Sequence, residues 1–525
     1  MAHLIQDFIF ETAERTPEAV ALTYQGLPLD YRALADSVGA AAAAMLAHGL
    51  ARGERVAVYL EKREEAVLAM FGAAAAGGVF VPVNPLLKPA QVAYILHDCG
   101  ARILVTSSRR LEQLGAHVAA CPQLHTVIVV DADLPPLPGL HCVAWSDCMQ
   151  AKLPASGAHR VIESDMAAIL YTSGSTGKPK GVVLSHRNLV AGALSVSGYL
   201  ENTPQDRILA LLPLSFDYGL SQLTTAFACG ASVVLLNHLF ARDIIDTVEQ
   251  ESITGLAAVP PLWIQLSQLS WPRAHALRYI TNSGGAMQRR TLDALRLALP
   301  DTRVYLMYGL TEAFRSTFLA PEQLDARPDS IGTAIPNAEV LVLRPDGTLC
   351  AAGEAGELVH RGPLVALGYW NDPEKTAERF RPLPSSPAGV PELAVWSGDT
   401  VRRDADGYLY FIGRSDEMIK TSGYRVSPGE VEEVVYASGL VGEAAAIGLP
   451  HPVLGQAIAL LATAPPGQVL EGAALLAACK EALPTFMQPA WVEVRHDALP
   501  RNPNGKIDRT LLRAQLLDLF SGATR

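Results

Sequence analysis

Residues Tyr171 to Gly181 read YTSGSTGKPKG, with two Ser, two Thr, two Lys and three Gly, and Pro179 fixing one corner. Glycines let backbone N–H groups converge without a Cβ in the way, hydroxyls add donors and lysines add charge. The composition therefore suits a polyanion, most simply the phosphate chain of a nucleotide. The segment is not a Walker A loop, because Lys178 is followed by Pro179 and no glycine stands five places after Gly174. Ser175-Thr176-Gly177-Lys178 matches S-x-x-K and Lys420-Thr421-Ser422-Gly423 loosely matches K-T-G, but no S-x-N triplet completes an acyl-serine hydrolase site. A flexible Gly/Ser surface loop is the plain alternative. Its flanks argue against that: Met166 to Tyr171 (MAAILY) reads as a buried strand and Leu184 to Leu194 as a continuing helix. The expected setting is a loop between strand and helix, where phosphates are commonly held.

The elements that must position such a loop belong to a large protein. The chain has 525 residues, 49% hydrophobic and 18% charged, enough for a sizeable core and more than one domain. A net charge of −11 excludes nucleic acid as a bulk partner, since phosphate backbones are held by clustered Lys and Arg. Seven cysteines without a C-x-x-C pair signal neither a zinc cluster nor a disulfide framework, so a reducing, cytoplasmic setting is expected. The start, MAHLIQDFIFETAERTP, lacks the basic and apolar regions of an export signal. The uncharged run from Ala66 to Leu87 is broken by Gly72, Gly77, Gly78, Pro82 and Pro85, which predicts a core helix turning into a buried strand and no membrane span.

Helix-like stretches (Tyr31 to His48, Ala241 to Glu251) alternate with short apolar strands (Arg55 to Leu60, Arg102 to Thr106, Thr126 to Val130, Ser232 to Leu236). That alternation predicts an α/β architecture with largely parallel sheets. Past about residue 330 shorter strands and turns, such as Glu339 to Leu343, Pro345-Asp346-Gly347 and Gly407 to Ile412, predict a β-rich subdomain. A helix from Ser427 to Ala437 and a tail carrying NPNGKID at 502 predict a small C-terminal domain.

Taken in order, YTSGSTGKPKG at 171, YGLTEA at 308, WSGD at 396, GRSDEMIKTSGYRVSPGEVE at 413 and NPNGKID at 502 resemble the core motifs of the AMP-forming adenylation superfamily. That group includes acyl-CoA synthetases, luciferase-like enzymes and nonribosomal-peptide adenylation domains, and the resemblance runs over nearly the whole chain. It implies a large N-terminal domain of roughly 400 residues built from stacked α/β sheets and a β-rich subdomain, here 1–415. A small mobile α+β lid, here 416–525, turns about a hinge that Asp416 matches. It also implies two half-reactions, adenylation of a carboxylic acid by ATP with Mg²⁺, then transfer of the acyl group to a thiol. By the same resemblance Thr172, Ser173, Thr176 and Lys180 hold the leaving pyrophosphate, Thr311 contacts the α-phosphate and Glu312 helps to hold Mg²⁺. Tyr308 stacks on adenine beside the backbone of Gly284, Gly285 and Ala286, Asp399 accepts both ribose hydroxyls, and Arg414 lies near ribose or phosphate. Lys506 bridges carboxylate and ribose during adenylation, after which the lid brings Lys420 to Arg425 toward the site.

A luciferase-like oxidase needs an oxidisable acyl substrate that the residues do not reveal, and a dead nucleotide-binding protein fits poorly with Glu312, Asp399 and Lys506 all in place. The stretches LPLSFDYGLSQLTTAF at 212 and YGLTEAFRST at 308 most resemble stand-alone amino-acid:carrier-protein ligases and exosortase-associated AMP-forming acyl-CoA ligases. The chain holds no G-x-D-S-L acceptor motif, so a separate carrier protein bearing phosphopantetheine is the expected acceptor, with coenzyme A as the alternative. Asp217 stands where amino-acid-activating relatives bind the substrate ammonium, and its apolar surroundings call for a cation partner. Ser283 aligns with the pocket wall. Arg315 aligns with another wall position, where its fork suits a second carboxylate. A related subgroup that activates aspartate-like starter acids carries Asp, Ser and Arg at this spacing, which implies a small amino acid with two carboxylates. The plain alternative is that Arg315 pairs with a neighbouring Asp or Glu.

Overall fold

The apolar runs do become strands and the periodic stretches helices. The computed structural model describes residues 2–131, 139–153, 157–172, 178–383, 391–414, 418–465, 467–501 and 507–521. Among them two large sheets dominate the first part of the chain. One has a parallel centre in the spatial order Ser232–Leu235, Arg207–Ala210, Gly255–Ala258, Tyr279–Asn282, Arg303–Tyr308, continued by the antiparallel Thr317–Leu319. The other contains the parallel strands Val79–Pro82, Arg55–Tyr59, Ala101–Thr106, Thr126–Val129 and His141–Ala144. One continuous apolar core joins both sheets through the helices Tyr31–Ala47, Glu64–Ala75, His186–Tyr199 and Asp217–Cys229. The run from Ala66 indeed turns from helix into the buried strand Val79–Pro82. Among the described residues no helix is long and apolar enough to cross a membrane.

The Gly/Ser-rich loop is set differently from expectation. It joins Met166–Thr172 to the antiparallel strand Lys180–Ser185, with Thr172 opposite Lys180, and the helix starts only at His186. Val182, Val183 and Leu184 are buried in that pairing, and Ser185 then caps the helix by accepting from Asn188 N at 3.1 Å.

Past residue 330 a five-stranded antiparallel sheet follows, including Glu339–Leu343, Leu393–Arg403 and Leu409–Arg414. The last sheet is built from Ile419–Thr421, Tyr424–Val426, Glu443–His451, Gly455–Thr463 and Trp491–Arg495, with its own apolar core.

Parallel strands need their N-terminal ends tied together, and one acid does this. The Asp206 carboxylate accepts from Arg278 Nη2 at 2.8 Å, Thr254 Oγ1 at 2.7 Å and Thr203 N at 2.8 Å. Its carbonyl accepts from Ser232 N at 3.0 Å. Residues 206, 232, 254 and 278 sit at the starts of four neighbouring strands, so the opposite, C-terminal ends open together as a crevice.

Burial pushes the Asp206 carboxyl up, but Arg278, Thr254 and the Thr203 N–H more than offset this and hold it below its ordinary value. Its stabilisation is therefore present above the unfolded carboxylate pKa and lost as pH falls through the lower folded one. Asp206→Asn should cost about 2–3 kcal/mol in urea unfolding at pH 7. The gap between variant and wild type should narrow at acid pH. A gap independent of pH would show that the carboxylate charge is not the source.

Candidate active site

At the carboxyl ends of the parallel strands a pocket of about 160 Å³ collects Thr172, Asp217, Ser283, Gly284, Thr311 and Asp399. One connection, 309–316, between Arg303–Tyr308 and Thr317–Leu319, brings Thr311 into the pocket and carries Glu312 and Arg315 close by. Tyr308 closes the strand, and its hydroxyl donates to the Asp399 carboxylate. Asp399 is carried by Leu393–Arg403 and pairs in register with Arg414, which ends the neighbouring strand. Gly284 follows Tyr279–Asn282 with φ +81°, and Gly285 carries on that loop, its carbonyl accepting from Asn282 Nδ2 at 2.9 Å. Ala286 comes next on the same loop.

Glu312 is buried, and its Oε1 accepts from the Tyr369 hydroxyl at 2.6 Å. Burial alone would raise its carboxyl, but Arg425 and the Tyr369 hydroxyl hold it below the usual range. Its Oε2 is buried without a partner among the described residues, the kind of orphan oxygen that a hard divalent cation satisfies. Lys180 lies over the Tyr369 ring, Nζ 5.4 Å from its centre, with its amine lowered by burial and by the neighbouring Lys375.

On the Asp217 side of the site an acid and a cation are buried near each other. Asp217 starts the helix Asp217–Cys229, and its Oδ1 accepts from Thr311 Oγ1 at 3.3 Å. Removal from water pushes its carboxyl up, against the pull of Arg315 and the Thr311 hydroxyl. Arg315 is 1% exposed. Its Nη1 donates to Ser283 Oγ at 3.0 Å and its guanidinium lies 4.7 Å from the Tyr218 ring centre. Nε and Nη2 are buried without a partner, and among the described residues no carboxylate forms an ion pair with it. Among the described residues the simple pairing with a neighbouring acid is therefore not seen, although Arg315 and Asp217 act on one another through space. Arg315 does not line the main pocket but stands behind Tyr218 and Ser283, lining a second cavity of about 20 Å³ with Ser221, Thr225 and Thr281.

The hairpin 419–426 enters the same pocket, so Lys420, Gly423, Tyr424 and Arg425 line it with Asp399 and Thr311. Tyr424 stacks on Phe486 at 3.8 Å and meets Phe216 edge-on at 4.8 Å. A third cavity of about 490 Å³ adjoins this corner, sharing Phe216, Val259 and Tyr424 with the main pocket. Lys62 also lines it, its amine brought down by burial to about 8.

Ser173, Thr176, Asp416 and Lys506 lie outside the described residues, as does the Arg414 side chain. One participant carried no local signal in the sequence: Tyr369 reaches Glu312 from 57 positions away. Tyr218 and Tyr424 lie within stretches singled out there, LPLSFDYGLSQLTTAF and Lys420 to Arg425, without a role of their own.

Residues 9–370 match the family model of the AMP-binding enzyme, and residues 430–506 match that of the AMP-binding enzyme C-terminal domain. Tyrocidine synthase 3 of Brevibacillus parabrevis is 30% identical over 97% of this chain, which spans only 8% of that relative's length. The L-proline--[L-prolyl-carrier protein] ligase of Pseudomonas fluorescens is 32% identical over 98% of this chain and 99% of its own length. Among solved structures, o-succinylbenzoate CoA synthetase of Bacillus subtilis bound with its product analogue is 26% identical over 97% of this chain and 98% of its own, with a TM-score of 0.84. The same enzyme in complex with its acyl-adenylate intermediate is 26% identical over 96% and 97%, with a TM-score of 0.68.

A buried charge without an ion partner destabilises the ligand-free fold. Arg315→Met, of similar length and apolar, should raise the stability of the ligand-free protein by about 1–3 kcal/mol in thermal unfolding. An unchanged or lowered Tm would mark Arg315 as a structural residue instead.

Proposed function

The chain belongs to the AMP-binding enzyme family, and on that premise we propose that it is an ATP-dependent, AMP-forming ligase that activates a small amino acid with a second carboxylate. Asp217 takes the substrate ammonium, and Arg315 takes the free carboxylate, an aspartate- or glutamate-like arrangement. The observation that carries this reading is the Arg315 guanidinium, buried beside Ser283 with two of its nitrogens, Nε and Nη2, without a partner among the described residues. A desolvated fork of that kind gains most from a planar carboxylate. Tyr218 lines both the main pocket and the small cavity that holds Arg315, and Ser283, which Arg315 contacts, lines the main pocket, so the acid's far end is assigned to this side of the pocket.

In the first half-reaction a carboxylate oxygen attacks the α-phosphorus of ATP, the bond to the β-phosphate oxygen breaks and pyrophosphate leaves. Negative charge builds on the phosphates, so aimed donors are needed. Thr172, Ser173, Thr176 and Lys180 take the pyrophosphate side and Thr311 the α-phosphate. Tyr308 and the loop from Gly284 through Gly285 to Ala286 flank adenine, and Asp399 holds the ribose, with Arg414 nearby. Glu312, through the oxygen left free by Tyr369, would hold Mg²⁺, which when bound neutralises phosphate charge. Lys506 bridges carboxylate and ribose in this step.

In the second half-reaction a thiol sulfur, losing its proton, forms a bond to the acyl carbon and AMP leaves. We assign the thiol to the phosphopantetheine of a carrier protein, which the full-length likeness to a prolyl-carrier protein ligase supports. Coenzyme A is the alternative acceptor, favoured by the likeness to a CoA synthetase. The cavity beside Tyr424, Phe216 and Val259 offers either arm a way in. Residues from Asp416 onward act as a lid. Its hairpin at Lys420 to Arg425, already in the pocket, fits the transfer step, as does the higher TM-score with the product-analogue complex.

ATP–pyrophosphate exchange across amino, dicarboxylic and fatty acids tests the reading. Exchange should be strongest with aspartate- or glutamate-like acids, and strong activity on plain fatty acids would sink it. Arg315→Leu should abolish exchange with those acids and retain some with a monocarboxylic amino acid. Lys506→Ala should lose about two to three orders of magnitude in adenylation, ~2.7–4 kcal/mol, while transfer from preformed acyl-AMP is largely spared. Equal losses in both half-reactions would refute the role given to Lys506.

A further inference from the structure

Among the described residues Arg315 has no ion pair to direct it, and the backbone supplies the direction. Phe314, the residue before it, has φ 55° and ψ −50°, and Arg315 N–H donates to the Ala313 carbonyl at 2.6 Å. This is the positive-φ form of the γ-turn, rare and strained for any residue with a side chain. Such a turn persists only where its surroundings over-determine it.

The surroundings here are a buried ring and two glycines. The Phe314 side chain is 0% exposed. A Cβ on Gly192 would stand 2.6 Å from Phe314 Cδ1 and 3.1 Å from Cε1, so the ring packs into the space that a side chain at 192 would take. Gly192 sits inside the helix His186–Tyr199, where alanine would favour the helix; the close approach of the ring is the reason for glycine there. On the other side, a Cβ on Gly309 would stand 3.1 Å from Arg315 Cα and 3.4 Å from the Phe314 carbonyl oxygen.

We infer that Phe314, clamped in this turn by the burial of its ring against Gly192, is the positioning residue that aims the Arg315 guanidinium at Ser283. Gly192 thereby governs acid selectivity from outside the pocket. Were Phe314 to relax to negative φ, the bond that sets the direction of the Arg315 side chain would turn with it, and the guanidinium would leave Ser283. Neither Gly192 nor Phe314 lines the main pocket or the cavity behind it. The inference rests on the proposed reading that Arg315 holds the acid's free carboxylate.

Gly192→Ala puts a methyl group into the ring. For the acid that the wild type activates best, it should lower kcat/KM in exchange about tenfold, carried by KM for the acid, with KM for ATP within about twofold. In an Arg315→Leu background, assayed with a monocarboxylic amino acid, the same change should have no further effect. An equal loss in both backgrounds would overturn the inference, because Gly192 would then act on the fold at large. Phe314→Gly permits the turn without enforcing it, and should repeat the selectivity loss if Gly192→Ala folds poorly; unchanged selectivity would overturn the inference. A crystal structure of ligand-free Gly192→Ala decides the geometry directly: the Arg315 to Ser283 bond should be broken, and its retention would overturn the inference. A broken bond together with wild-type exchange indifferent to Arg315→Leu would uphold the positioning and refute the substrate reading instead.

Discussion

Two acids and one cation, Glu312, Asp217 and Arg315, are held out of water close to the pocket, and among the described residues they do not neutralise one another by direct pairing. Glu312 is kept ionised by a hydroxyl and by Arg425, Asp217 is steadied by a hydroxyl and the field of Arg315, and Arg315 by a single bond to Ser283 and an aromatic face. Groups kept this way retain unused capacity, in the Glu312 Oε2 oxygen and the Arg315 Nε and Nη2 donors. The arrangement is costly to the free fold and useful only if something charged arrives. The rest of the architecture can be understood as the means of holding these groups still.

That holding is divided between two ends of one sheet. Asp206 draws the strand starts together with polar bonds, which leaves the strand ends free to diverge into long connections. The connection 309–316 then fixes several groups at once, because it is short, buried and tied at its middle by Ala366 N donating to the Glu312 carbonyl at 2.9 Å. The C-terminal hairpin completes the enclosure through stacking, Tyr424 between Phe486 and Phe216. Aromatic stacking is non-covalent and reversible at modest cost, which suits the lid role proposed for this hairpin.

Much of the fold was legible beforehand. Runs such as RVAVYL and ARILVT are short, apolar and rich in β-branched residues, the pattern of a buried strand, and both form parallel strands. The region from Tyr31 has helical periodicity and a capping Asp30 that accepts from Ala33 N at 2.8 Å. The misjudged element was the one after Pro179. Lys180–Ser185 reads as the approach to a helix, and only its neighbour Met166–Thr172, pairing across the loop, makes it a strand. Val182-Val183-Leu184 is a short, largely β-branched run that could have flagged a strand, but its antiparallel pairing across the loop is non-local and not written in the residues around 182.

By itself the sequence determined which chemistry-bearing residues exist and their order, since motifs such as YGLTEA and WSGD are local and their spacing survives any folding. It also placed Asp217 in apolar surroundings, where a charge needs a partner, and Arg315 at a wall position where a second carboxylate or a neighbouring acid could meet it. Only the tertiary structure decided what that partner is not: Arg315 meets a serine and a tyrosine ring instead of a neighbouring acid. It decided too that Tyr369 serves Glu312, and that a glycine in a distant helix makes room for Phe314. Those are contacts between elements far apart in the chain, set by packing geometry in three dimensions, and packing has no one-dimensional signature.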